Sequence, residues 1–402
     1  MAEANDVLRQ YNVTVKGTEK KGKGLFAEGR IKEGDVILIE KPLVCSQFLW
    51  NKTYSYTACE YCLKSMETAQ NMARRLSSKY DLELPYAEQC CDNLKQRIEV
   101  FQCPRCKEKY CSEICFQNAE QKYHRLLCLG DGRRNASHPI NQLDEAWKKV
   151  HYPPETATVN LILKMVAMIT QSSDPKETRE DFLQFHAAIR DQSQKMVHKL
   201  LGEKFTEQLE TMYNLLQEVS TTMDLNKEVG SLDDLRTLFG LIGMNGQGIG
   251  TSSLSKYVHN IDAMNLSEDE REKVDTFIDE IYDNISEVSG QFLNCEGSGL
   301  FKVQSRSNHS CEPNAEVTFP NNNSTLVLVA LQNIQPGEEI CICYLDDCQR
   351  ARSRHSRRKI LRENYLFECT CTRCELDMGE ISQTSSSEEE ESEDDCDEMD
   401  ED

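Results

Sequence analysis

The sequence predicts an α+β fold in which a β-rich unit is interrupted first by a cysteine-rich module and then by a run of helices. Three observations predict it. Short apolar runs bounded by turn residues occur near both ends of the 402-residue chain. Cysteines crowd between residues 59 and 128, where regular apolar periodicity is weak. Residues 155–240 then place apolar side chains at helical spacing with few glycines.

In chain order, YNVTV, GKGLFAEG and DVILIEKPLV read as short strands within residues 11–44. After the cysteine module, TATVNLILKMVAMIT and EKFTEQLETMYNLLQEV read as helices. Glycines return at 243–250, and EKVDTFIDEIYDNIS is again helical. β-type patterns resume with LFKVQS and STLVLVALQNI, and PGEEI reads as a turn ahead of CICYL. The GQGIG run lacks the GK[S/T] of a phosphate-binding loop, so that reading is set aside. RARSRHSRRK, residues 350–359, reads as a solvated helix face, with a nuclear-import patch as the alternative. From about residue 380 the chain is Ser, Glu and Asp, a composition that cannot bury a core and is expected to be disordered.

The net charge of −22 is concentrated in that last segment. Residues 388–402 hold 12 acidic residues and no basic one, so the rest carries about −10. Such a surface argues against nonspecific DNA binding and suits a basic protein or peptide partner. No apolar core follows the start of the chain, so no secretory leader is expected. The longest apolar stretch, VNLILKMVAMI, is interrupted by Lys164 and is too short to span a bilayer. The 19 cysteines, an odd number, then read as metal ligands in a reducing cytosol or nucleus rather than as disulfides.

Their spacing supports this. Zinc takes four tetrahedral ligands, and a C-x2-C pair delivers two from one tight turn. The chain offers Cys59 and Cys62, Cys103 and Cys106, Cys111 and Cys115, and His124 and Cys128, enough donors for two ions. Spacing does not say which pairs share an ion, and Cys90 or Cys91 could stand in for a member of the first pair. A third group, Cys369, Cys371 and Cys374, supplies three thiolates and needs a fourth ligand. Cys311 could provide it; Cys348 or solvent are the alternatives. Cys311 lies in RSNHSCEPNAE, residues 306–316, a loop dense in Asn308, His309, Ser310 and Asn314.

GKGLFA, NHSCEPN, GEEICICYLD and NYLFECTCTRC resemble, in order, the signatures of SET-domain protein lysine methyltransferases. ACEYC, CPRCKEKYCSEIC and HRLLC resemble a MYND zinc finger, and a SET domain interrupted by one marks the SET-and-MYND subfamily. The resemblance spans about residues 10–378. It implies a SET β-fold split by a MYND finger and a helical insert, with a cysteine-rich post-SET zinc site. On that basis residues 1–55 are the first SET part, 56–130 the finger, 131–242 the helical insert, 243–348 the SET core, 349–378 the post-SET segment and 379–402 a disordered acidic tail.

The resemblance also implies three zinc ions, with the first cysteine pair sharing an ion with the third and the second with the fourth. It implies S-adenosylmethionine as cofactor, contacted by Lys23, Gly24, Leu25, Asn245, Asn308, His309, Tyr344 and Phe367. Tyr344 and Tyr365 match the catalytic tyrosine and the second tyrosine of the lysine channel. The implied activity is methyl transfer to lysine of histone or non-histone proteins, ribosomal ones included. A catalytically silent peptide-binding adaptor is the rival reading. Expected partners are a basic substrate, and a proline-rich or co-repressor peptide at the finger. Neither sequence-specific DNA binding nor a membrane is expected; the chain is expected to be monomeric, in cytoplasm or nucleus. Relatives of this kind continue into a C-terminal helical repeat domain, whereas this sequence runs into acidic residues.

Overall fold

Alternation of buried and exposed side chains sets the first hairpin. β1 (Val13–Thr18) pairs antiparallel with β2 (Gly22–Ala27), from Val13 opposite Ala27 to Thr18 opposite Gly22, and buries Val13, Leu25 and Ala27. The computed structural model describes residues 11–18, 21–91, 100–150, 157–185, 205–225, 229–289 and 294–379. The acidic residues from 380 onward, and the disorder expected of them, lie outside the described residues. The remaining strands are β3 (Val36–Glu40), β4 (Val44–Gln47), β5 (Phe101–Gln102), β6 (Lys109–Tyr110), β7 (Gly246–Thr251), β8 (Cys295–Leu300), β9 (Asn308–His309), β10 (Ala315–Thr318), β11 (Leu326–Ala330) and β12 (Cys341–Ile342).

Two three-stranded sheets join distant parts of the sequence. One has the order β10-β11-β3 and the other β4-β8-β7, all antiparallel. Thus strands from the start of the chain are completed by strands from its last third. The GQGIG run is β7, a sheet strand rather than a loop, with Gln247 opposite Gly299 and Ile249 opposite Gly297. Gly297 cannot be replaced cheaply, because a Cβ there would overlap the Ser46 carbonyl and the Leu63 side chain.

LFKVQS departs from expectation. The strand stops at Leu300, and Gln304–Arg306 forms a 3-10 turn instead. The cause is Glu40, whose carboxylate oxygens accept the backbone N–H groups of Val303 and Gln304, each at 2.9 Å. Those two bonds draw the chain off the sheet.

Helices fill the span between β6 and β8. They include Pro139–Val150, Thr158–Gln171, Phe205–Thr222 and Leu232–Asn245, then Ser253–Asp262 and Glu268–Ser289 between the paired strands β7 and β8. Serine begins several of them: Ser231 accepts from Asp234 N–H and Ser252 from Ser255 N–H, satisfying donors that the first turn leaves open. Trp147, Leu143, Ile162 and Phe239 are fully buried in the core they share. No helix among the described residues is long and apolar enough to cross a membrane.

Lys164, the one charge in the apolar stretch, explains how helix and cysteine module are joined. It is 5% exposed, yet its Nζ lies 2.6 Å from Glu60 Oε1 and donates to the Cys45 carbonyl at 2.9 Å. The Tyr123 ring lies 4.7 Å from the ammonium, and the Tyr123 hydroxyl donates to Glu60 Oε2 at 2.8 Å. One cation therefore gathers β4, the first cysteine turn and the segment ahead of His124.

The chain divides into two compact units, Met1–Asn308 with Asn314–Ile340, and His309–Pro313 with Cys341–Asp402. The second is built around the buried residues Cys311, Leu345, Leu361, Cys369, Cys371 and Cys374. Its main helix, Arg354–Tyr365, is capped by the Ser353 hydroxyl accepting from Ser356 N–H. The solvated-face reading of 350–359 needs correction at one position: Arg357 is 1% exposed and donates to Arg352 O and Asp377 Oδ2, each at 2.7 Å.

Replacing Lys164 by Met leaves the largely buried Glu60 with the Tyr123 hydroxyl but no cation, and is expected to lower stability by about 3 kcal/mol. Chemical denaturation of the full chain measures this, and adding Glu60→Gln is expected to restore most of the loss.

Candidate functional site

The first two cysteine pairs fold alike. Leu63 N–H returns to the Cys59 carbonyl at 2.9 Å and Lys107 N–H to the Cys103 carbonyl at 3.0 Å, with Leu63 and Lys107 both at positive φ. Each turn points two sulfurs the same way. Among the described residues, three groups bring their donor atoms within 4.8 Å of one another: Cys59, Cys62, Cys111 and Cys115; Cys103, Cys106, His124 and Cys128; and Cys311, Cys369, Cys371 and Cys374.

Tetrahedral zinc with sulfur at about 2.3 Å places sulfurs about 3.8 Å apart. The Sγ atoms of Cys62 and Cys111 are 3.6 Å apart, those of Cys103 and Cys128 3.8 Å, and those of Cys311 and Cys369 3.9 Å. Sulfurs this close repel when ionised, so a cation is the natural occupant. Each group is a closed set of four, the form of a structural zinc site rather than one with an open coordination position. Cys90 stands apart, its Sγ 3.1 Å from Met264 Sδ, and Cys348 is exposed.

In the first unit, the Asn308 amide donates to Glu339 Oε1 at 2.7 Å and to the Lys23 carbonyl at 3.3 Å. Gly24 sits against both: a Cβ there would lie 2.8 Å from Glu339 Oε1 and 3.2 Å from Asn308 Nδ2. Leu25 is fully buried beneath them. Asn245 is also buried, at the end of its helix, and its amide donates to the Leu241 carbonyl at 2.8 Å.

In the second unit, His309 links a sulfur to an aromatic cluster. Its Nδ1 accepts the Tyr344 backbone N–H at 3.0 Å, which leaves Nε2 to carry the proton towards Cys311 Sγ at 3.3 Å. The Tyr344 ring centroid lies 4.9 Å from that of Tyr365 and 6.2 Å from that of Phe367, the latter edge to face. The Tyr365 hydroxyl donates to the Tyr344 carbonyl at 3.0 Å, and burial pushes its phenol above the ordinary value.

The structure adds two residues that the sequence reading passed over. Glu339 lay in a segment read as a turn and as the start of the GEEICICYLD signature, with no site role given to it. Arg357 stood in a run of basic residues, yet its buried guanidinium lies 3.7 Å from Cys374 Sγ, where it would offset the negative charge of a zinc-bound thiolate group.

Three separate four-donor groups, the NHSC sequence and a pair of packed tyrosines define a SET-type protein. A family model described as SET domain matches residues 22–345. The chain belongs to that family and, within it, to the SMYD group. Protein-lysine N-trimethyltransferase SMYD5 of Danio rerio is 52% identical over 369 residues, covering 92% of this chain and 88% of the relative. The protein of the same name from Homo sapiens is 49% identical, over 91% and 86%. Histone-lysine N-methyltransferase SMYD3 of Homo sapiens is 46% identical over 79 residues, 20% of this chain and 17% of that one. A solved SET domain of LSMT bound to lysine and AdoHcy aligns at TM-score 0.30 and 12% identity, over 92% of this chain and 57% of that chain.

Metal analysis of the purified full chain is expected to return three zinc ions per molecule, one for each donor group. Cys374→Ser is expected to reduce the count to two; a count of two before the substitution would mean that one group does not hold zinc, and a count left at three that Cys374 is not needed to hold the third ion.

Proposed function

We infer that this chain is a protein-lysine N-methyltransferase that draws its methyl group from S-adenosylmethionine. The observation that carries the reading is the fixing of Tyr344: its N–H is held by His309, its carbonyl by the Tyr365 hydroxyl, and its ring by two aromatic neighbours. A tyrosine immobilised at backbone and ring is suited to orient a reacting amine rather than merely to fill space.

The cofactor supplies the electrophilic methyl carbon. Of the residues present, the Lys23–Leu25 backbone and Asn308 suit its amino-acid end, since they offer amide and carbonyl groups beside a glycine that permits close approach. Phe367, packed edge to face on Tyr344, suits a flat aromatic base.

A lysine amine attacks only when neutral, and its ordinary pKa is about 10.4. Tyr344 and Tyr365 lower that barrier by presenting ring surface that disfavours the ammonium. Because the Tyr365 O–H is committed to the Tyr344 carbonyl, its oxygen lone pairs are what it offers to an amine N–H. Its raised pKa keeps that hydroxyl protonated through the neutral range.

The substrate we propose is a basic protein segment, a histone tail or a ribosomal protein, with a proline-rich peptide as the finger's ligand. Names of the relatives carry the prefix trimethyl, and the same end product is proposed for this chain.

Tyr344→Phe is expected to lower methyl transfer to a protein lysate by about 100-fold while cofactor affinity, read by calorimetry, changes little. Mass spectrometry of the modified lysines reads the product. Cofactor binding by the unmodified chain without transfer to any substrate would instead favour a silent adaptor.

A further inference from the structure

Glu339 receives three polar contacts that converge on the NHSCEPN stretch and on β2. Its Oε1 accepts the Asn308 amide at 2.7 Å, and its Oε2 lies 2.9 Å from Lys21 Nζ. Its backbone carbonyl accepts the Asn314 amide at 2.8 Å. The two asparagines that bracket residues 309–313 in sequence are thus both held by one residue.

Glu339 is itself fixed by backbone. It bridges Phe26 in antiparallel fashion, Ile340 N–H donates to the Leu25 carbonyl at 2.7 Å, and Ala27 N–H donates to the Glu338 carbonyl at 3.0 Å. Its carboxylate is therefore set by the same strand that carries Lys23, Gly24 and Leu25. Gly24 makes room for it, since a Cβ at that position would press on Oε1.

This arrangement decides which way round the Asn308 carboxamide lies. A carboxylate and a backbone carbonyl only accept hydrogen bonds, and both Glu339 Oε1 and Lys23 O face the same end of the side chain. That end must be the NH2, so Oδ1 is turned away from Glu339. A free asparagine could present either atom to a ligand; this one presents an acceptor.

We propose that Glu339 is a positioning residue for the cofactor: it orients Asn308 so that the amide oxygen is offered to a ligand's α-ammonium group. The inference rests on the methyltransferase reading and adds to it the basis for selecting an amino-acid-bearing nucleoside. Lys21 contributes little to that selection, because it pairs with the other oxygen at a partly exposed position.

Calorimetric titration of the full chain with two ligands tests this: S-adenosylhomocysteine, which carries the amino-acid end, and 5′-methylthioadenosine, which lacks it. Glu339→Ala is expected to weaken S-adenosylhomocysteine by about tenfold and 5′-methylthioadenosine by less than about twofold. Glu339→Gln retains an acceptor oxygen and is expected to stay within about threefold of the unmodified chain for both, as is Lys21→Met. Equal weakening of both ligands, or no weakening by Glu339→Ala, overturns the proposal while leaving the methyltransferase reading intact. Failure of the unmodified chain to bind S-adenosylhomocysteine overturns both. A thermal melt of each variant in saturating ligand identifies one that fails to fold; should Glu339→Ala fail, Glu339→Ser takes its place with the same expected and overturning results.

Discussion

Mutual repulsion of clustered thiolates is the constraint on which the rest of this molecule depends. Among the described residues, four donors come within 4.8 Å of one another three times, an arrangement that neither solvent nor apolar packing would stabilise. A divalent cation would turn each cluster from a liability into a crosslink, and local features fit that role. The positive φ of Leu63 and Lys107 closes the two turns that bring each pair of sulfurs to one side. Arg357 can be buried because a thiolate group and Asp377 surround its guanidinium. His309 is held in one tautomer because a sulfur lies on one side of its ring and the Tyr344 N–H on the other.

Lys164 plays the corresponding part in the first unit. Without it, Glu60 would keep only the Tyr123 hydroxyl to offset its charge, and the Tyr123 ring would lose the ammonium it faces. A single ammonium on a helix thus ties a metal-binding loop to a sheet strand through Cys45 O. Covalently distant segments are joined by polar contacts inside an otherwise apolar core, where each contact is strong because water is excluded.

The strands and the main helices could be read from apolar periodicity, since Val13, Leu25, Leu326 and Leu328 follow the burial their pattern demands. Donor identity was equally legible in the C-x2-C spacings. Which turn faces which is a matter of tertiary packing, and spacing does not encode it. The exit of the chain after Leu300 escaped the pattern because its cause, the Glu40 carboxylate, lies more than 250 residues earlier. Glu339 was hidden for a similar reason: its neighbours in GEEI mark a turn, while its function lies in contacts with Asn308, Asn314 and Lys21. Arg357 looked like one more solvated cation, and only its position on the inner face of its helix sets it apart.

The sheet order β4-β8-β7, with β3 likewise joined to β11, bears on biosynthesis. Val44 meets Leu300, and Leu38 meets Leu328, across most of the chain's length. At about 5–20 residues per second, a ribosome releases β3 and β4 on the order of tens of seconds before their partners exist. Through that interval both strands expose unpaired backbone edges, the kind of surface that chaperones shield and that aggregates exploit. The nascent polypeptide therefore completes its sheets only after the helices and cysteine turns have emerged, so metal capture by the early turns can precede the pairing of the first strands with the last.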